Sequence, residues 1–293
     1  MKYIIEKDNE GVRLDRYLRK KLSDVPLNEI FKALRVGKIK VNNKKKKENY
    51  RLVEGDKIFI GIGNLEENEE KREKFLILDE KDKNFLQKNI IFENEDLIIF
   101  NKEKDIVMHK GSGFEYGISE MFKSYYQTND FNFINRIDKK TSGLVIGAKN
   151  KISTRILAEE LREDNIKKKY YILVHGKIEK NKFIIENYLK KIEDKVVVTT
   201  KDDNEGKRAI TYFTTIKRNK KYTLLEGELV TGRTHQLRVQ LSNLGYPIVG
   251  DTRYGEKDGE SILYLNSHYC EIPKYNIKID NDLPNYFKKK LEE

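Results

Sequence analysis

The chain reads as an α+β protein: a small basic module of two helices and short strands, then a larger domain on a largely antiparallel mixed sheet. Three observations predict this. From Ile90 onward, strand-like segments outnumber helical ones and often follow one another directly, which favours an antiparallel sheet over a doubly wound parallel one. Charge changes sharply along the chain: Gly11 to Ile60 holds 15 Lys/Arg against 6 Asp/Glu, whereas Asn64 to Asp82 holds 4 against 8. Finally, 293 residues are enough for one large domain or two smaller ones with a real core.

Composition narrows the function. Charged residues make up 37% of the chain, above the roughly 25% of an average soluble protein, and the net charge is +11. That balance suits a partner that is a polyanion, nucleic acid first. A single cysteine, Cys270, excludes an internal disulfide and any CxxC metal site. The four histidines, His109, His175, His235 and His268, are far apart and form no HxxxH pair. No apolar run approaches the roughly 18 residues of a membrane span, and Met1 to Glu10 lacks the apolar stretch of a signal peptide. The expectation is a reduced, cytoplasmic, monomeric protein with no membrane contact, no cofactor and no metal.

In the basic module, Leu14, Leu18 and Leu22 recur at i, i+4 and i+8, with Arg16, Arg19, Lys20 and Lys21 on other faces, which predicts an amphipathic helix. Val25-Pro26 interrupts it, because a residue before proline avoids the helical region. A second helix is expected from about Leu27, with Ile30, Phe31 and Leu34 inward and Gly37 where a terminating glycine belongs. Short strands follow at Lys38–Asn43 and Gly55–Ile60. Asn64 to Lys74 reads as a solvated linker or an exposed charged helix.

In the larger domain, Asp96–Phe100 and Ile106–His109 read as two strands around a turn. Leu144–Ala148 is a compact apolar strand. Lys151–Glu163 is an amphipathic helix with Ile152, Ile156, Leu157 and Leu161 on one stripe. Strands are expected at Tyr170–His175, Val196–Thr200, Ala209–Ile216 and Tyr222–Val230, and a helix at Thr234–Leu244 with Leu237, Leu241 and Leu244 inward. No GxGxxG and no GxxxxGK[ST] occurs, so a dinucleotide or P-loop site is not expected.

Two stretches carry candidate chemistry. Asn135-Arg136-Ile137-Asp138-Lys139-Lys140-Thr141-Ser142-Gly143-Leu144 is a charged, hydroxyl-rich loop running into a buried strand, where a rigid scaffold presents reactive groups. Gly232-Arg233-Thr234-His235-Gln236-Leu237-Arg238-Val239-Gln240, followed by Gly245 to Asp251, places Arg233 before an expected helix N-terminus, a natural phosphate site. Arginine is scarce here, 14 residues against 45 lysines, so its clustering in these stretches is informative. Each stretch alone is also compatible with a solvated turn or a structural ion pair.

Together they resemble a family. RIDKKTSGLVI is similar to the RLD-x-x-TSGL loop of the RluA/RluC family of pseudouridine synthases, and GRTHQLRVQLSNLGYPIVGD to that family's GR-[TS]-HQ-[IL]-RV…G-x-PI-x-GD signature. Lys168 to Val174 resembles its K-x-Y-x-x-[LV]-V strand, and Asn101-Lys102 to His109 its entry strand. The basic module, RLDRYLRKKLSDVPLNEIFKALRVGKIKVN to GDKIFI, resembles an S4 RNA-binding domain, closest to the RluC type. The chain departs from the pattern at Asn135, where the family often has His. It departs again at Glu103-Lys104-Asp105, where a Pro-x-Gly turn is usual, and at Leu265-Asn266-Ser267, where many members have Leu-His-Ala. The implied division is an S4 domain over 1–62, an acidic linker over 63–87 and a catalytic domain over 88–293.

The resemblance implies isomerisation of uridine in RNA, large-subunit ribosomal RNA first, with no cofactor. Asp138 would act on the ribose as nucleophile or as base. Arg238 would hold that carboxylate ionised against burial, since an arginine keeps its proton and can make two hydrogen bonds. Tyr170 would stack on the flipped uracil and help release the C5 proton; its neighbour Tyr171 points to the other face, so only one of them can enter the pocket. RNA contacts would come from Arg136, Arg233 and His235, and in the basic module from Arg16, Arg19, Lys20, Arg35, Lys38 and Lys40. Arg136 could instead sit in a structural ion pair, and Lys44 to Lys47 could be only a solvated loop. Two alternatives stand beside this reading: a non-catalytic S4-type RNA-binding or ribosome-assembly protein, and a synthase acting on tRNA. A pure binder would not need Asp138, Tyr170 and Arg238 together.

Overall fold

The computed structural model describes every residue except 23–24, 62–74, 111–113 and 256. The chain divides into two compact units, Met1–Lys74 and Phe75–Glu293.

The first unit contains β1 (Lys2–Ile4), α1 (Leu14–Lys21), α2 (Leu27–Val36), β2 (Ile39–Val41) and β3 (Lys57–Ile60), with the strands in the antiparallel order β1-β3-β2. Leu14, Leu18, Leu22, Ile30 and Leu34 pack on Ile39, Val41 and Ile58, as the helical spacing requires. Phe31 is only partly buried, and Ala33 takes the interior position instead. Gly37 ends α2 in the left-handed region at φ 80, a conformation that costs glycine nothing. The VN and GD pieces of the sequence meet at buried Asp56. Its carboxylate accepts from Asn42 Nδ2 at 2.6 Å, Tyr50 Oη at 3.1 Å and the Val53 N–H at 3.0 Å. Arg16, Arg19, Lys20, Arg35 and Lys38 are exposed, and Lys40 is half-buried.

The second unit opens with α3 (Glu80–Asn89), β4 (Ile90–Glu93), β5 (Leu97–Lys102), α4 (Ile118–Tyr125), β6 (Asn132–Phe133), β7 (Ser142–Ala148) and α5 (Lys151–Arg162). It continues with β8 (Lys167–His175), β9 (Lys182–Ile192), β10 (Lys195–Thr199), β11 (Lys207–Arg218), β12 (Tyr222–Leu229), α6 (Gln236–Asn243), β13 (Leu265–Ile272), β14 (Ile277–Asp280) and α7 (Asn285–Glu292). One mixed sheet runs β10-β9-β11-β12-β8-β13-β7-β5-β4, with β14 paired to β13 and β6 to β7. Among the described residues, only β13 and β7 run parallel.

β5 and β7 are covered on both faces, which is why they read as unbroken apolar runs rather than alternating ones. Ile98, Phe100 and Val145 pack with Phe122 of α4 on one side. Leu97, Ile99, Leu144 and Ile146 pack with Leu157 of α5 on the other. A Phe buried as fully as Phe122 contributes roughly 1.5–3 kcal/mol. β13 and β7 approach closely at Gly143, where a Cβ would lie 2.2 Å from the Ser267 carbonyl oxygen. Its φ of 111 is itself glycine territory.

Four expectations are corrected. The stretch expected as a linker over 63–87 lies outside the described residues as far as 74; beyond that it contains α3, started by a capping box between Asp79 and Asp82. Ile106–His109 is not a strand, because its carbonyls are spent elsewhere: Ile106 O on the Lys102 ammonium, Val107 O and Met108 O on the first N–H groups of α4. Asn150 caps α5 so that Ser153 and Leu157 turn inward, leaving Ile152 exposed at 54%. The expected helix at Thr234–Leu244 is shorter, starting at Gln236, and Leu244 lies just past its end, exposed.

Candidate active site

Asp138 stands on the loop between β6 and β7. The loop is pinned from several directions. Asn135 Oδ1 accepts the Ile146 N–H at 2.8 Å, and the Thr141 N–H closes a turn on Asp138 O at 3.0 Å. Lys139 O accepts from the Asp105 N–H at 2.8 Å and from Lys102 Nζ at 3.1 Å.

Lys102 had no role in the sequence reading. Its ammonium is fully buried and also reaches Glu103 O at 2.8 Å and Ile106 O at 3.1 Å, so its three donors meet three carbonyl oxygens. Burial pushes its pKa down to about 8, against the pull of Asp105 and Asp138, so it still carries its proton at neutral pH. Lys102→Met should therefore cost about 3 kcal/mol, because it strands three acceptors. Thermal melting of the variant is the check, and an unchanged midpoint would show that the ammonium does not hold the loop.

Asp138 meets α6 through Arg238. The Arg238 Nη1 donates to Asp138 Oδ2 at 3.0 Å, as expected. The same guanidinium makes a two-pronged contact with Asp251: Nε to Oδ2 and Nη2 to Oδ1, both 2.8 Å. Asp251 is the residue that sequence reasoning missed. Its side chain is 1% exposed, against 26% for Asp138. A buried arginine needs a buried acid, and Asp251 closes the same stretch that supplies Arg238; that was the available signal. Asp251 also accepts the N–H groups of Arg253 and Tyr254. Burial favours its protonated form but is outweighed by Arg238 and these N–H groups, so its pKa is lowered. Arg238 is held more firmly charged than usual: burial opposes the charge, and Asp251 and then Asp138 overcome it.

Two cavities flank this carboxylate. One, of about 470 Å³, is lined by Asp138, Thr141, Lys168, Tyr170, Leu237 and Arg238, among others. The second, of about 600 Å³, is lined by His109, Lys110, Lys139, Lys140 and Arg253. Asp138, Arg136, His235 and Arg238 border both. The first is large enough for a nucleoside; the second is lined by positive charge.

Tyr170 enters the first cavity and is 6% exposed. Tyr171 faces the other side of the sheet, stacked on His268 with ring centroids 3.6 Å apart. Burial pushes the Tyr170 phenol up to about 12, and the charge of Asp138 adds to this, so at neutral pH it is a hydroxyl and not a phenolate. Arg136 is exposed and has no ion pair among the described residues. Arg233 lines the first cavity, but its Nε is bonded to Arg208 O at 3.0 Å, and α6 begins three residues later. The turn before that helix is held by Gln236, whose Oε1 accepts the Arg233 N–H at 3.0 Å and Thr231 Oγ1 at 2.8 Å. His235 places Nε2 3.6 Å from Asp138 Oδ2. Two further residues went unassigned in the sequence reading. Lys168 lines the cavity, its ammonium with no hydrogen-bond partner among the described residues and its pKa lowered by burial. Thr141 is buried with its hydroxyl unpartnered.

A mixed sheet, a buried arginine locked between two aspartates and a nucleoside-sized cavity with a tyrosine wall together define the class. Residues 96–243 match the RNA pseudouridylate synthase family and residues 12–58 the S4 domain. The chain belongs to the RNA pseudouridylate synthase family and is an enzyme that isomerises uridine in RNA.

The chain is 37% identical over 262 residues to the ribosomal large subunit pseudouridine synthase C of Buchnera aphidicola subsp. Baizongia pistaciae (strain Bp), covering 86% of this chain and 80% of that protein. It is 35% identical over 291 residues to the synthase of the same name from Rickettsia typhi (strain ATCC VR-144 / Wilmington), covering 95% and 96%. Among solved structures, human RNA Pseudouridylate Synthase Domain Containing 4 shares the fold, with a TM-score of 0.60 and 20% identity over 71% of this chain and 93% of that one.

Proposed function

We propose that this chain converts uridine to pseudouridine in large-subunit ribosomal RNA, with Asp138 as the group that acts on the ribose. The observation that carries the reading is the carboxylate of Asp138 at the border of both cavities, held by an arginine that is itself locked on Asp251. The reaction breaks the bond from C1′ to N1, turns the uracil and joins C1′ to C5; the C5 proton leaves and N1 gains one. The flipped uridine occupies the first cavity, at an extrusion cost of a few kcal/mol. Asp138 serves as nucleophile or as base. Arg136 contacts phosphate or fills the place the base has left. The large subunit as substrate is supported by the names of the relatives above. The proposal places the protein in the cytoplasm as a monomer; no helix among the described residues is long and apolar enough to cross a membrane. Mapping pseudouridine in total RNA with and without the gene is the test. Loss of no large-subunit site, or loss confined to tRNA, would overturn the substrate assignment.

In this reading the first unit supplies RNA affinity through Arg16, Arg19, Lys20, Arg35, Lys38 and Lys40. A chain lacking residues 1–74 should still modify a short RNA but bind structured ribosomal RNA more weakly, with a shallower salt dependence, because fewer phosphates are neutralised. Equal affinity and equal salt slope would remove the RNA-binding role from this module.

Tyr170→Phe should keep substrate binding and lose turnover. The ring still stacks, so affinity should fall by much less than the ~1–3 kcal/mol of a lost aromatic platform. The missing hydroxyl should slow release of the C5 proton. Tritium release from C5-labelled RNA, with Tyr171→Phe as control, decides the matter: normal release by Tyr170→Phe and slow release by Tyr171→Phe would exchange the two roles.

A further inference from the structure

The two oxygens of Asp138 are not equivalent. Oδ2 faces Arg238 Nη1 at 3.0 Å and His235 Nε2 at 3.6 Å, while Oδ1 has no hydrogen-bond partner among the described residues. The far side of the His235 ring is fixed: Nδ1 lies 2.7 Å from the Tyr254 hydroxyl. That hydroxyl already accepts the Val196 N–H at 3.1 Å. When the phenol gives its one proton to this nitrogen, Nδ1 is bare and the ring proton sits on Nε2, facing Asp138. His235 also holds a left-handed backbone, φ 54 and ψ 21, uncommon for a residue with a Cβ. Burial, then Arg238 and Arg253, work against a second proton on the ring; Asp138 and Asp251 work for it, and the balance lowers the His235 pKa.

We propose that His235, carrying its proton on Nε2, is a positioning residue that closes on Asp138 Oδ2 when RNA binds. With Arg238 it then holds one carboxylate oxygen, leaving Oδ1 alone to face the ribose. The inference rests on the reading of Asp138 given above. At 3.6 Å the contact is too long for a hydrogen bond in the free chain and is completed by a small movement.

The test begins with nitrogen NMR of the full-length chain, free of RNA and labelled at histidine, at neutral pH. The expected spectrum shows His235 Nδ1 unprotonated and Nε2 protonated; the opposite tautomer, or a doubly protonated ring, overturns the proposal. Tyr254→Phe keeps the ring over the Arg238 guanidinium, 5.1 Å from the aromatic centre, and removes only the hydroxyl. It should shift the ring toward the Nδ1-protonated form, and an unchanged spectrum overturns the part given to Tyr254. Turnover supplies the second arm. His235→Leu should lower kcat about ten- to a hundredfold, the loss of one hydrogen bond to a charged group, with KM little changed. His235→Gln, whose amide N–H can stand where Nε2–H stood, should recover most of that loss. Equal losses in both variants, or a loss confined to KM, overturn the positioning role. The spectrum needs no turnover, so it stands apart from the Asp138 reading, which fails separately if Asp138→Asn remains active.

Discussion

Replacing Asp138 by Asn should stop pseudouridine formation, by roughly a thousandfold or more, while leaving the melting temperature and RNA affinity nearly unchanged. The amide has almost the shape of the carboxylate but no charge, so it can serve neither as nucleophile nor as base. It still offers an oxygen to Arg238 Nη1, and Arg238 keeps both bonds to Asp251, so no charge is left stranded in the interior. Single-turnover assays on an RNA substrate, beside a melting curve and a binding isotherm, separate the outcomes. Turnover within tenfold of the native chain would remove Asp138 from the chemistry.

Arg238→Met should be damaging in a different way, lowering stability as well as activity. The side chain is 8% exposed and its main partner, Asp251, 1%. Removing one member of such a pair leaves a buried carboxylate unpaired, at a cost of about 3–5 kcal/mol. For a unit of this size that is a fall in melting temperature of roughly 10 °C. The same pairing predicts a pH signature. Because the folded pKa of Asp251 is lowered, its contribution is fully present above the ordinary carboxylate value and is lost as pH falls through the lower folded one. Acid melting of the native chain should therefore be steeper than that of Asp251→Asn in that window. Identical acid limbs, or an unchanged melting temperature for Arg238→Met, would argue against a buried pair.

Much of this was legible in the sequence, for reasons that can be stated residue by residue. The helices of the first unit followed from Leu14, Leu18 and Leu22 and from Ile30 and Leu34, because a small core leaves no other use for that spacing. Asp138, Tyr170 and Arg238 were visible through motif resemblance, and they border one cavity. What was hidden was hidden by polarity. α3 is mostly polar and buries only Leu86 and Asn89, so its capping box, and not an apolar stripe, marks it. β13 carries Asn266, Ser267 and His268 in a buried row, and no element was assigned there from the sequence because that polar run shows no strand pattern. Those polar groups have specific partners: Asn266 Nδ2 donates to Ser142 Oγ at 2.8 Å, and Ser267 Oγ to Leu144 O at 3.1 Å. Asp251 and Lys102 were overlooked because their roles are to fix other residues, which composition and spacing do not reveal.

The placement of β13 bears on how the cavity is assembled. This strand follows both β7 and β8 in sequence yet lies between β8, which carries Tyr170, and β7, which continues from the Asp138 loop. Its residues Asn266 and Ser267 pair with Ser142 and Gly143 on one side and with Tyr171 and Tyr170 on the other. The Asn266–Ser142 contact spans 124 residues, and pairings of such separation form late because the intervening loop must first be closed. Until Leu265–Ile272 has been made and has slotted in, the strands bearing the two halves of the cavity have no bridge. The two halves of the cavity are thus joined in the sheet through a strand that follows both of them in sequence, so the site depends on a long-range pairing as well as on the loops that carry its side chains.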